Sequence, residues 1–250
     1  MAELRRLTDP RPGAEMTATV RDRLAQQRIY LIATPTEAAR TPTTPDGVAW
    51  LGQIEKVIRS GVLLIQLRQK DGNTESRRAW LNALRPLLSP EGLLIVNDDL
   101  DALRDKSGQP LADGVHIGRK DARALGEGDL LRGLQNVRQE LGSEALLGSS
   151  TRTVEEVRTA VEGGVDHVGF GAIARSPTKA GAIRADLAEF VRCTQAFPAL
   201  PIFPIGGLNT DNLHLISNVL TRRAAMGSAL LDAGDPEAAA QAAITWSRGG

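Results

Sequence analysis

Short apolar runs alternate with longer amphipathic ones eight times along this chain, and that alternation constrains the fold more than any other feature. Strands are expected at 29–33, 63–67, 93–96, 114–117, 145–148, 167–170, 202–205 and 223–226. Helices are expected near 49–59, 75–88, 100–106, 122–141, 154–162, 184–197, 209–219 and 236–246. Parallel neighbours need crossover connections, so a strand-then-helix order repeated this regularly predicts a parallel sheet. Eight such units in about 220 residues fit a closed (β/α)8 barrel better than an open doubly wound sheet. The expected class is therefore α/β: a single TIM barrel over residues 28–250, preceded by a short N-terminal extension, residues 1–27, with a helix at 16–27 over the barrel floor. Thr153 followed by Glu156 reads as a capping box, Glu162-Gly163-Gly164 as a helix stop, and Asn209 or Thr210 as the start of the seventh helix. The segment 34–47, with Pro35, Pro42 and Pro45 among threonines, reads as an irregular insertion after the first strand.

Composition narrows the function classes. At 250 residues and 42% hydrophobic, the chain can bury one large core. Thirty basic residues balance thirty acidic ones, which argues against a nonspecific nucleic-acid or anionic-membrane surface. No stretch approaches the 18 or so apolar residues of a spanning helix, and residues 1–20 lack an apolar signal core. Cys193 stands alone, so no internal disulfide can form, and no Cys/His spacing suits zinc. A cytoplasmic protein acting on small molecules is expected, with homo-oligomerisation left open.

The polar residues gather where strands end. Arg68 and Lys70, one residue apart after the second strand, can leave on the same side and offer a fork and a point charge to a phosphate, or be solvated surface cations. Gln66 places an amide in an otherwise apolar run, which needs a partner if buried. Asp98, Asp99 and Asp121 follow two adjacent strands. They suit Mg²⁺ as oxygen ligands, but Asp99 and Asp121 equally suit helix caps. Ser176-Pro177-Thr178-Lys179 brings two hydroxyls and a cation after the sixth strand, or forms an ordinary turn. Gly206-Gly207 and Gly227-Ser228 end the seventh and eighth strands, where barrels often bind phosphate through backbone N–H groups; tight turns are the alternative. His116 reads as a core residue, His167 and His214 as scattered, and no Ser-His-Asp arrangement emerges.

Six motifs in this order resemble the thiamine phosphate synthase family from about residue 29 to 235. They are Gln66-Leu67-Arg68-Gln69-Lys70, Val96-Asn97-Asp98-Asp99, Asp113-Gly114-Val115-His116-Ile117-Gly118, Gly169-Phe170-Gly171, Pro177-Thr178-Lys179 and Ile205-Gly206-Gly207-Leu208. The resemblance implies a Mg²⁺-dependent transferase that joins 4-amino-5-hydroxymethyl-2-methylpyrimidine diphosphate to a thiazole phosphate and releases pyrophosphate. It assigns Gln66, Leu67, Arg68, Gln69, Lys70, Asn97, Ser150 and Lys179 to the pyrimidine diphosphate. Arg68, Lys70 and Lys179 would be the catalytic cations, and Asp98 and Asp121 the metal ligands. Ser176, Pro177, Thr178, Gly207, Gly227 and Ser228 would hold the thiazole phosphate. Departures fall at the sixth loop, where Gly171-Ala172-Ile173 lacks the family's proline, and at Arg119-Lys120 in place of the common Gln-Glu. Arg152 stands where the related thiazole tautomerases have histidine. That branch, and a non-catalytic barrel binding thiamine precursors, are the alternative readings.

Overall fold

The computed structural model describes residues 18–174 and 186–249. Eight parallel strands close into a barrel in sequence order: β1 Ile29–Ala33, β2 Leu64–Leu67, β3 Leu93–Asn97, β4 Gly114–Ile117, β5 Leu146–Thr151, β6 His167–Gly171, β7 Ile202–Ile205 and β8 Ala224–Met226. β8 returns to β1 through the register Ile29↔Ala224 to Leu31↔Met226, which completes the closed barrel the alternation predicts.

Alternation along each strand sorts the apolar residues into two layers. Leu31, Ala33, Ile65, Leu67, Leu94, Val96 and Val115 face the helices in one large cluster. Tyr30, Leu64, Leu93, Ile95, Leu146, Phe203 and Ala225 form a second cluster inside the barrel. Strands covered on both faces read as continuous apolar runs, which is why they were visible in the sequence.

The helices follow the expected order with instructive differences. α1 Val20–Gln26 opens with a reciprocal capping box between Thr19 and Asp22. α2 Pro45–Arg59 starts earlier than expected, because Thr44 caps it and Pro45 takes its first turn. α3 Thr74–Leu84, capped by Asn73, runs on into a 3₁₀ turn at Arg85–Leu87. The expected helix at 100–106 is only a 3₁₀ turn, Asp101–Leu103. Asp105 ends it by accepting from Ser107 N, Ser107 Oγ and Gln109 N, offering the backbone a turn in place of a helix.

The long helix expected at 122–141 is two: α4 Arg119–Leu125 and α5 Leu130–Leu141. Glu127 and Gly128 take positive φ between them, and Asp129 recaps the chain. A β-carbon on Gly133 would lie 1.7 Å from the Ala122 carbonyl, so this crossing of α4 and α5 requires glycine. α6 Val154–Glu162 matches its expected bounds, with Thr153 accepting from Glu156 N. The reciprocal half of the capping box is missing: Glu156 instead accepts from Arg119 and from Arg152 N.

α7 Leu187–Ala196 is capped by Asp186, and the start expected at 184 lies outside the described residues. The helix expected at 209–219 is reduced to a 3₁₀ turn, Leu213–Ile216, because Asn209 and Asn212 bond each other's backbone in a local turn. α8 Ser228–Leu231 and α9 Pro236–Ser247 complete the chain.

The floor is closed by α1, whose Leu24 enters the interior cluster. Two similar ionic clamps hold the floor. Asp113 accepts from Arg85 and from Leu94 N, with Arg23 of α1 3.7 Å away. Asp166 accepts from Arg138 at 2.6 Å, Leu147 N at 2.7 Å and Arg21 of α1 at 2.7 Å. Replacing a carboxylate that holds three donors leaves the Leu147 N–H and one arm of the Arg138 guanidinium without their acceptor, so Asp166→Ala is expected to cost about 2 kcal/mol. Urea denaturation reads this directly, and a loss under about 0.5 kcal/mol, the range of ordinary surface changes, would mean the clamp contributes little.

Candidate active site

At the C-terminal rim, strand parity decides which of the expected residues face inward. Gln66 is buried inside the barrel and donates through Nε2 to the Tyr30 hydroxyl at 2.8 Å, the partner its burial demands. Arg68, on the same side of β2 and just beyond it, is half-buried at the mouth. Burial pulls its pKa down, and the neighbouring Asp98 charge pushes it back up. Leu67 and Gln69 have the opposite parity. Leu67 is fully buried in the outer cluster, and Gln69 bonds Ser76 of α3 at 2.9 and 3.0 Å. Neither side chain faces the mouth, so any role there is limited to backbone atoms. Lys70 lies exposed beyond the strand.

Asp98 has outward parity yet reaches the mouth, because its φ of 56° turns the chain as β3 ends. Aspartate tolerates this left-handed region better than most residues. Its Oδ1 accepts from Gly118 N at 2.7 Å and its Oδ2 from Asn97 Nδ2. Asp121 approaches from the first turn of α4, three residues past the Gly118 cap, so it is not the cap itself. A β-carbon on Gly118 would lie 2.9 Å from Asp121 Oδ2 and 3.5 Å from Asp98 Oδ1. Two carboxylates thus flank a glycine that leaves space between them.

Mg²⁺ commonly takes one or two carboxylates, waters and substrate phosphates, so this pair fits it. No cluster of three or more metal-ligating side chains occurs among the described residues. Asp99 serves the fold: buried, it caps the 101–103 turn through Ala102 N and pairs with Arg77 at 2.8 Å.

Ser150, inward on β5, lies 3.0 Å from His116 Nε2. Gly206 and Gly207 both have positive φ at the end of β7, and the Gly207 carbonyl accepts from Asn212. Gly227 is the cap of α8 and Ser228 its first residue, exposed. Ser176, Pro177, Thr178 and Lys179 lie outside the described residues. Two features escaped the sequence reading. Arg152 donates from Nε to the Gly171 carbonyl at 3.2 Å, spanning the end of β6. His116 and His167 form a buried pair inside the barrel, ring centroids 5.7 Å apart. Their inward parity on β4 and β6 was the available signal.

The sequence profile described as thiamine monophosphate synthase matches residues 30–230. The chain belongs to this family. A thiamine-phosphate synthase of Thiobacillus denitrificans is 37% identical over 204 residues, covering 81% of this chain and 90% of that protein. One from Nostoc punctiforme is 31% identical over 214 residues, covering 85% of this chain but 54% of that longer protein. Among solved structures, a thiamine phosphate pyrophosphorylase from Pyrococcus furiosus superposes with a TM-score of 0.69 at 22% identity, covering 92% of this chain and 98% of that one; at this identity the likeness concerns the fold. In this chain Arg68, Asn97, Asp98, Asp121 and Ser150 stand at the C-terminal ends of four consecutive strands, β2 to β5. Among the described residues, no helix is long and apolar enough to cross a membrane.

Proposed function

We propose that this protein condenses 4-amino-5-hydroxymethyl-2-methylpyrimidine diphosphate with a thiazole phosphate, forming thiamine phosphate and pyrophosphate, as a cytoplasmic enzyme built from one barrel domain (28–250) preceded by the N-terminal extension (1–27) that carries α1. The observation that carries this reading is the Asp98–Gly118–Asp121 cradle beside Arg68, in a chain of this family. Diphosphate leaves readily once its charge is neutralised, and the rim gathers groups for that task. Mg²⁺ bound by Asp98 and Asp121 would supply further neutralisation of the diphosphate oxygens.

Arg68 and Lys70 would bind the diphosphate from β2, with Lys179 from the sixth loop. Asn97 holds Asp98 in place and offers a polar edge to the substrate. Ser150 and Gln66 would contact the pyrimidine diphosphate from inside the rim. The glycine turns after β7 and β8, with Ser228, would present N–H and hydroxyl groups to the thiazole phosphate, joined by Ser176, Pro177 and Thr178. Departure of pyrophosphate leaves a pyrimidine cation, which the thiazole nitrogen captures; no protein base is needed. Holding the two rings in contact supplies much of the remaining rate.

Purified protein given both substrates and Mg²⁺ should release pyrophosphate and form thiamine phosphate. Isomerisation of the thiazole phosphate alone, or binding without turnover, would overturn the assignment. Arg68→Ala and Lys179→Ala should each lower turnover more than about tenfold, because each removes a cation from the leaving group. Activity within about twofold of the unaltered protein would remove that residue from the diphosphate site.

A further inference from the structure

Three ring nitrogens of the buried histidine pair, His116 Nδ1 and both nitrogens of His167, have no hydrogen-bond partner among the described residues. The two rings meet over Gly148 of β5. A β-carbon there would lie 2.3 Å from His167 Nε2 and 2.7 Å from His116 Nδ1, so both nitrogens point at one spot that only glycine leaves open. The opposite nitrogen of His116 is engaged at the rim, with Ser150 Oγ 3.0 Å from Nε2. Around them, Tyr30 and Phe203 pack edge-on against His167, with ring centroids 5.5 and 6.2 Å away. Tyr30 itself accepts from Gln66.

A neutral imidazole has one donor and one acceptor nitrogen, so what happens at Nδ1 of His116 dictates what Nε2 can offer Ser150. If Nδ1 accepts, Nε2–H donates to Ser150 Oγ, and the serine O–H is left to donate toward the mouth. If Nδ1 carries the proton, Ser150 must spend its O–H on Nε2 and turns lone pairs toward the mouth. A diphosphate oxygen only accepts, so it favours the first arrangement. The nitrogen that shares the space beside Gly148 with His116 Nδ1 is His167 Nε2.

We propose that His167 is a positioning residue: its Nε2–H donates to His116 Nδ1 through one bridging water, fixing His116 as the Nε2–H tautomer and making Ser150 a donor to the diphosphate. This rests on the reading of Ser150 as a diphosphate-binding residue, and deepens it. Burial keeps both rings neutral, as their lowered pKa values require.

The first test needs no substrate and no variant in the pair. ¹⁵N NMR of the full chain distinguishes protonated from bare ring nitrogens, and only three histidines are present. His214, exposed on an outer turn, is assigned through His214→Gln. His116 should show a bare Nδ1 and a protonated Nε2; a protonated Nδ1 overturns the proposal. The second test is kinetic. His167→Phe, which keeps the ring volume and removes the donor, should lower kcat/KM for the pyrimidine diphosphate about tenfold. His167→Gln, whose amide nitrogen can reach the Nε2 position, should recover it to within about threefold. In a Ser150→Ala background, His167→Phe should cost less than about twofold more, since the relay has lost its endpoint. Equal losses with Gln and Phe, or a full tenfold loss without Ser150, would mean that His167 acts through packing. Absent turnover in the unaltered protein would instead sink the proposed function while leaving the NMR result to judge the relay.

Discussion

Exchanging Asp98 for asparagine is expected to lower turnover more than about a hundredfold and to weaken the response to Mg²⁺, with little change in stability. Asparagine is the informative replacement because of the backbone. Asp98 sits at a φ of 56°, which asparagine tolerates and alanine adopts at a cost of about 1–2 kcal/mol. Its side-chain oxygen can still accept from Gly118 N, so the turn at the end of β3 persists. What disappears is one negative charge from the cradle it shares with Asp121. Arg68, whose protonation Asp98 supports against burial, loses its neighbouring anion as well. Asp98→Ala should lose the same activity and, in addition, melt earlier. The measurements are a Mg²⁺ titration of initial rates and a thermal melt for each variant. If Asp98→Asn responds to Mg²⁺ as the unaltered protein does, the metal ligands lie elsewhere on the rim.

The barrel was legible because it depends on burial, and burial writes itself into every strand. The rim was legible only where chemistry and parity coincide. Gln66 and Arg68 share a face of β2 and both turn inward, whereas Leu67 and Gln69, inside the same motif, turn outward to the helices. A motif read as a block cannot separate the two sets; the strand period can. Asp98 shows the opposite case, reaching the mouth only through a left-handed turn that no spacing rule announces.

The two helices reduced to 3₁₀ turns share one cause. Asp105, Asn209 and Asn212 are compatible with helix at moderate cost, but each satisfies local backbone N–H groups with its side chain and holds its segment in a turn. The split of α4 from α5 was signalled by Gly126-Glu127-Gly128-Asp129, where two glycines surround a residue of positive φ. The histidine pair was hidden for a different reason. His116 and His167 are 51 positions apart, and only parallel pairing on both edges of β5 brings β4 and β6 to either side of Gly148.

That pair also predicts how the fold should fail in acid. Burial, reinforced by the Arg68 charge, lowers the pKa of His116 from 6.5 to about 4. Burial, with His116 beside it, holds His167 well below its ordinary value. In the unfolded chain both imidazoles take up a proton as the pH falls through 6.5, while in the folded chain they resist. The unfolded state therefore binds more protons across this window, and stability falls as the pH falls. Above about pH 6.5 neither state is protonated at these rings, and they give no slope. For His116 alone the gap corresponds to a loss on the order of 3 kcal/mol by pH 4, and His167 acts in the same direction. Asp and Glu ordinarily titrate at about pH 4, so the interval from pH 6.5 to 5 isolates the histidines. Urea denaturation at several pH values across it should show a steadily decreasing midpoint, and His167→Phe should flatten the decline. A midpoint independent of pH in that interval would mean the rings take up protons in the folded protein as readily as in the unfolded chain.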